Sequence, residues 1–443
     1  MKTAADRDNP RFAEESVKIC IFCQQLEYMG GIERVVLEHL RIFAARGAQV
    51  SLLLEREPVL MRDFLRCPWK VLPVEPGARR AALAACFAEE SPDVVIFHGI
   101  SHSNGAIDAQ TAAECGVKSV CVVHFAFNAA VSLEHGVGNS WKTFARNGAA
   151  CTAFATVSAI DAKFWRALGK KAFHVQNPFV HPPADALSVR KRGESGTVNM
   201  IWVGRLVEPK QPEAALETFA LVAKARPAAR LTMVGGDPQG IKRMARAAKR
   251  LGIADKTEFV PERPDISGYW AKADIHLLTS ICESFCLVWA EAKAAGMPTV
   301  MFELPYLELA ADPRGYVAVA QKDVKALADA AIALIDDAGR RERMGREARE
   351  SLAPFNDDAV WESWTRLFAG LDDPSDGTGG DADFKTVVTQ IYAAVCHDKE
   401  THRWPEEMEA DWMRLTHCSM RPFARFLHSA VSAVRKIKSK IRG

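Results

Sequence analysis

Apolar residues come along this chain in short continuous runs, set between longer stretches where they recur every three or four positions. Runs of about four to eight apolar residues bounded by turn residues predict strands buried on both faces; the intervening period predicts amphipathic helices. The runs at 17–23, 50–54, 94–97, 120–123 and 154–157 predict parallel strands, with a first helix over 32–46 that Gly47 closes. The rhythm restarts at Val198 and continues through 231–234, 258–260, 275–279 and 299–302 to a helix over 324–336. Such alternation predicts an α/β fold of two Rossmann-like, doubly wound domains, here at 17–185 and 198–355. Residues 187–197, rich in Arg, Lys, Gly and Ser, read as the hinge between them.

The pattern changes after the second domain. Residues 357–371 predict a helix with Trp361, Trp364, Leu367 and Phe368 on one face, inside a closing segment at 356–371. Residues 372–383 are acidic and rich in Gly and Ser, the composition of a flexible linker. A helical tail is expected over 384–443. Within it, Phe423, Phe426, Leu427, Ala430, Val431, Val434, Ile437 and Ile441 recur at helical spacing, and the segment from Arg421 to Arg442 carries no acidic residue. A basic amphipathic helix of this type suits an anionic membrane surface, at roughly 1 kcal/mol per basic residue near the lipid. Docking of the tail on the protein itself is the alternative.

Composition narrows the class. At 443 residues the chain has room for two or three domains, and its formal net charge of +2 gives no general drive toward nucleic acid. The eleven cysteines show no secreted spacing pattern and many fall in apolar strands, so they read as reduced core residues of a cytoplasmic protein. The polar start of the chain does not read as a signal peptide, and no apolar run approaches the roughly 18 residues that span a bilayer. Cys20 and Cys23 sit three apart in a strand and so point to opposite faces; no metal site is expected there. Asp381 and Asp383 imitate a metal-binding pair but stand in the linker.

The chemistry gathers at strand ends. The strand at 198–203 is followed by Gly204-Arg205-Leu206 and then Lys210, two cations where open parallel sheets bind ligands. Arg offers a planar fork for phosphate oxygens and Lys a compact charge, so both suit a departing diphosphate. The strand at 275–279 is followed by Glu283-Ser284-Phe285-Cys286-Leu287 and by Glu291, read as the start of a helix whose free N–H groups attract phosphate. On one helix, carboxylates eight positions apart lie about 12 Å apart along the axis and about 80° around it, able to hold two parts of an extended anionic ligand. Gly30 and Gly31 follow the first strand, where absent Cβ atoms permit close approach to a phosphate or sugar.

These pieces, in this order, resemble family 4 glycosyltransferases over roughly residues 17–370, together with His124 at a strand end, Thr156-Val157-Ser158 and Asn177-Pro178. The resemblance implies the two-domain GT-B fold and retaining, metal-independent transfer of a sugar from a nucleotide-diphosphate sugar, with a UDP- or GDP-sugar expected and no further cofactor. It implies catalytic roles for Arg205, Lys210, Glu283 and His124. Donor binding is implied for Gly30, Gly31, Gly204, Ser284, Phe285, Cys286, Leu287 and Glu291, with Glu283 at the sugar hydroxyls and Glu291 at the ribose. His98, at another strand end, is an acceptor-side candidate. The closing helix is implied to cross back to the first domain. Where the family commonly has glycine, this chain has Ser284 and Cys286; Pro261 and the loop 302–309 are atypical. The expected setting is synthesis of a cell-surface polysaccharide or glycolipid, with a glycan or lipid-linked acceptor, at the inner face of the cell membrane. A sugar-nucleotide epimerase or phosphorylase of like architecture, or a non-catalytic partner subunit, remains an alternative.

Overall fold

A computed structural model describes residues 16–26, 30–59, 62, 65–126, 140–179, 197–263 and 265–378. The hinge at 187–197 falls outside the described residues except for Thr197, and the linker is described only to residue 378. The tail at 384–443, with the segment from Arg421 to Arg442, also lies outside them.

Seven parallel strands build the first sheet: β1 (Lys18–Cys23), β2 (Gln49–Leu54), β3 (Trp69–Val71), β4 (Val94–His98), β5 (Lys118–Val123), β6 (Ala153–Thr156) and β7 (Ala172–His174). Their order is β3-β2-β1-β4-β5-β6-β7, so the chain winds outward in both directions from β1 and β4. Alternate residues of each strand serve opposite faces. Ile19, Ile21, Leu52, Ile96 and Val122 meet helix α1 (Gly31–Ala45) on one side. Cys20, Phe22, Val95, Phe97 and Cys121 meet α2 (Pro76–Glu90), α3 (Gly105–Glu114), α4 (Ser140–Asn147) and α5 (Ala159–Ala167) on the other.

The second sheet is also parallel, ordered β10-β9-β8-β11-β12-β13. It comprises β8 (Asn199–Val203), β9 (Arg230–Val234), β10 (Thr257–Val260), β11 (Ile275–Leu278), β12 (Thr299–Phe302) and β13 (Tyr316–Val319). Helices α6 (Pro212–Ala225), α7 (Pro238–Arg250), α8 (Ser267–Lys272), α9 (Leu287–Ala294), α10 (Val324–Asp336) and α11 (Ala338–Glu350) cover it. Strands β3, β7 and β13 lie outside the sequence expectation. Each is an edge strand of only three or four residues.

Helix α12 (Asp357–Gly370) leaves the second domain and packs beneath the first sheet, where Val360, Trp364, Leu367 and Phe368 join the cluster of β1 and α1. Arg41 of α1 grips Asp357 through both terminal nitrogens, at 2.8 and 2.9 Å. Val157 and Phe179 of the first domain share a further apolar cluster with Leu278, Phe285, Trp289 and Leu307 of the second. The strand ends of both sheets therefore face one cleft.

Two local features carry a cost that the fold offsets. Arg79 is fully buried; its Nε and Nη2 donate to Asp108 at 2.6 and 2.7 Å, and its Nη1 lies 3.0 Å from Glu55. Arg79→Met leaves Asp108 and Glu55 without their cation and is expected to lower the unfolding free energy by about 3–5 kcal/mol in urea titrations. Cys286, at the N-cap of α9, holds φ +70°, a left-handed conformation that strains any residue with a Cβ. Cys286→Val, which adds a β-branch there, is expected to cost about 2 kcal/mol or more, and Cys286→Gly less than about 1 kcal/mol. An unstrained buried thiol gives the reverse ranking of urea midpoints.

Candidate functional site

Lys210 ends a short 3-10 turn, Glu208–Lys210, that follows β8, and Gln211 then starts α6 from a left-handed backbone. This turn carries the lysine under the loop that follows β11. Its Nζ lies 2.5 Å from Glu283 Oε1, and the Ser280 hydroxyl donates to the same oxygen at 2.7 Å. Burial pulls the Lys210 ammonium down, but the adjacent Glu283 carboxylate outweighs it, and the net shift is upward. Lys210 is therefore a firm cation with donors to spare, since an ammonium offers three.

Glu283 is not on the helix. Helix α9 begins at Leu287, four residues on, and Glu283 belongs to the loop between β11 and α9. The separation expected for two carboxylates on one helix therefore does not apply. The left-handed turn at Cys286 breaks the register, and Glu283 is fixed by its neighbours: its N–H donates to Tyr306 Oη at 3.0 Å. The Cys286 thiol also faces Glu283; burial and then that carboxylate push it well up, so it stays a neutral thiol. Phe285 turns into the apolar cluster against Phe355 and leaves only its backbone for a ligand.

From the first domain, the loop after β1 faces this helix start. A Cβ on Gly31 would lie 3.4 Å from Leu287 Cδ1, so the two domains come within contact distance here. A Cβ on Gly30 would lie 2.6 Å from Glu33 Oε2: the Glu33 carboxylate folds back over the start of α1. Burial raises the Glu33 carboxyl, Glu262 adds to that and Arg205 opposes it, which places Arg205 within electrostatic reach of Glu33. Arg205 itself is exposed. Gly204 stays close to Lys210, whose Cγ a Cβ there would meet at 3.7 Å. The Ser284 hydroxyl donates to the His124 carbonyl at 2.8 Å and so ties the loop to the end of β5.

Glu291 is on α9 and buried, 2.5 Å from Arg34 Nη1 of α1. Burial raises its carboxyl, and Arg34 opposes that shift. Its other oxygen, Oε2, has no hydrogen-bond partner among the described residues. The neighbouring Lys293 turns away to Ser351 Oγ at 2.9 Å and to the Trp289 ring.

His98 requires a correction. It is 2% exposed, and both ring nitrogens are engaged, by His39 and by His124, so it has no free atom to meet an acceptor. Its strand-end position suggested otherwise, but the ring turns into the domain. The structure also brings in residues that sequence reasoning missed. Arg34 carried a signal, because a cation in the first turns of a helix opposes the macrodipole and calls for a partner. His39 carried another, standing on the buried face of α1 among Val35, Val36, Leu40 and Phe43. Tyr306 carried none, since loop geometry alone aims it.

The model described as Glycosyltransferase Family 4 matches residues 29–182, and that described as Glycosyl transferases group 1 matches residues 189–351. An exopolysaccharide phosphotransferase of Streptomyces coelicolor is 30% identical over 200 residues, 44% of this chain and 21% of that protein. A D-inositol 3-phosphate glycosyltransferase of Thermomonospora curvata is 30% identical over 193 residues, 40% of this chain and 44% of that one. The matched stretches thus span less than half the length of these curated relatives. In fold, the chain is similar to HepE of Anabaena, solved in complex with UDP and glucose. The TM-score is 0.67 and the identity 16%, over 80% of this chain and 99% of that one. With each half matched in turn and the two-sheet architecture shared, this chain belongs to the family 4 glycosyltransferases and has the GT-B fold.

Proposed function

We propose that this protein moves a sugar from a nucleotide-diphosphate sugar to a hydroxyl of a glycan or lipid-linked acceptor, with retention of configuration and without a metal ion. The observation that carries the reading is the half-buried Lys210–Glu283 pair at the foot of the loop that opens α9, the helix whose first residue, Leu287, meets Gly31 of the first domain. The diphosphate lies against Lys210, Arg205 and the first N–H groups of α9. As the bond between the anomeric carbon and the phosphate oxygen breaks, negative charge grows on that oxygen, and these preorganised positive groups stabilise it. The acceptor oxygen bonds to the anomeric carbon on the face the phosphate leaves, and its proton passes to the departing phosphate oxygen. Glu283 holds Lys210 in place and accepts from sugar hydroxyls. Glu291 meets the ribose through Oε2, the oxygen that Arg34 leaves open. A UDP-sugar is favoured by the fold's likeness to a protein solved with UDP and glucose.

The setting favoured is polysaccharide or glycolipid synthesis at the inner face of the cell membrane, on the charge pattern from Arg421 to Arg442. No helix among the described residues is long and apolar enough to cross a membrane. Deleting residues 421–443 is expected to abolish co-sedimentation with anionic vesicles; retained binding assigns membrane contact elsewhere.

Lys210→Ala is expected to lower release of nucleoside diphosphate from the preferred sugar nucleotide by about 10²–10³-fold with an unchanged circular dichroism spectrum. UDP and GDP, each added to the wild-type chain, are expected to differ in the rise of melting temperature they give, the better ligand giving the larger. Turnover unaffected by Lys210→Ala removes the site assignment. Consumption of the sugar nucleotide without any nucleoside diphosphate released selects an epimerase instead.

A further inference from the structure

Three histidines stand in file through the first domain. His39 Nδ1 lies 3.3 Å from His98 Nε2, and His98 Nδ1 lies 2.9 Å from His124 Nε2. The file begins on α12, where the Trp364 indole N–H donates to His39 Nε2 at 3.1 Å. Trp364, His39 and His98 are buried, whereas His124 is partly open and its carbonyl holds the Ser284 hydroxyl of the second domain. The far ring nitrogen, His124 Nδ1, has no partner among the described residues and is absent from their buried unpaired atoms.

The chemistry of the first donor imposes a direction on the whole file. An indole nitrogen can only donate. His39 Nε2 must therefore present its lone pair, and a neutral His39 carries its proton on Nδ1. That proton points at His98 Nε2, which must in turn be a lone pair, so His98 carries its proton on Nδ1. The same step repeated leaves His124 with a lone pair on Nε2 and its proton on Nδ1. Burial keeps all three rings neutral: it pulls His39 down to about 3 and His124 to about 4, and lowers His98, with neighbouring imidazoles adding to the effect at His39 and His98. An extra proton anywhere in the file would set two donors face to face.

We propose that Trp364, His39 and His98 are positioning residues that lock His124 in the Nδ1–H tautomer, so that the open end of the file is a donor aimed at an oxygen lone pair of the bound sugar. This rests on the proposed transfer reaction and on the catalytic role that the family resemblance implies for His124, and it gives that residue a defined polarity. A lone-pair nitrogen at the same spot would select a hydroxyl proton instead, so the tautomer decides which edge of the sugar is recognised. It also makes the docking of α12 part of the site, because that helix supplies the first proton. His39 stacks on Phe43 and meets Trp364 edge-on, so packing alone accounts for the aromatic contacts. Packing does not account for three successive nitrogen pairs ordered from a donor that cannot reverse.

The test reads the tautomer directly, by ring nitrogen–proton correlation spectra of the full chain labelled with ¹⁵N-histidine. In the wild type, His124 is expected as a single Nδ1–H tautomer. Trp364→Phe keeps an aromatic ring but deletes the donor, and is expected to shift His124 to a mixture of Nδ1–H and Nε2–H forms. His39→Phe, which breaks the file at its second member, is expected to do the same. A wild-type His124 protonated on Nε2 overturns the proposal whatever the variants do. A His124 signal unmoved in either folded variant overturns it too. These spectra need no sugar nucleotide, so failure of the proposed transfer reaction would leave them unchanged and the two failures are separable.

Discussion

The return of α12 to the first sheet is the constraint on which the rest depends. Two doubly wound domains joined by a single connection have no reason to hold their strand ends opposite one another. A helix that starts in one and buries Trp364, Leu367 and Phe368 in the core of the other supplies that reason. Each such side chain contributes about 1.5–3 kcal/mol when removed from water, and an exposed Arg41–Asp357 ion pair adds a polar contact at the start of the helix. The shared cluster of Val157, Phe179, Phe285 and Trp289 closes the opposite end. The cleft lies between these two attachments, which bring its polar groups together.

Within that cleft, electrostatics is organised by burial as much as by charge. Lys210 and Glu283 meet half-buried, and although burial opposes its charge the lysine's pKa is shifted upward beside the carboxylate. Glu291 sits deeper, with one oxygen on Arg34; the other makes no full hydrogen bond among the described residues, though the Trp270 indole is close enough to oppose the upward shift of the carboxyl. The left-handed backbone at Cys286 belongs to the same economy of placement: it turns the loop sharply enough to bring Glu283 onto Lys210 while α9 still starts at the cleft. Strain and an under-satisfied acceptor concentrated in one place, with a closed apolar frame around them, mark where a protein is arranged for a ligand rather than for stability.

Polar tethers between the domains make them answer to each other, among them Arg34 with Glu291, Ser284 with the His124 carbonyl, and the Ala159 N–H with Glu308 Oε1 at 2.6 Å. The last comes from the loop that looked atypical in sequence. Glu308 accepts from the first turn of α5, where a carboxylate is stabilised by the helix dipole. Pieces of the second domain thus complete features of the first, and neither half of the site is whole alone.

The local alternation of apolar runs and amphipathic stretches was enough to determine the α/β class, the two sheets and their central strands, since buried parallel strands must be apolar on both faces. The edge strands β3, β7 and β13 were illegible because, at three or four residues each, they carry no apolar run long enough to stand out. Strand-end placement was likewise enough to bring Arg205, Lys210, Glu283 and the glycine pair into view, because parallel sheets expose their chemistry at those ends. Only the tertiary structure decided which groups touch. It took Glu283 off the helix through a backbone turn that side-chain spacing does not encode, and gave Glu291 a partner 257 positions away in Arg34. It turned His98 inward, where His39 and His124 engage its two ring nitrogens. Contacts across such separations depend on how the two domains dock, and that is set by the sum of many apolar contacts, not by any motif along the chain.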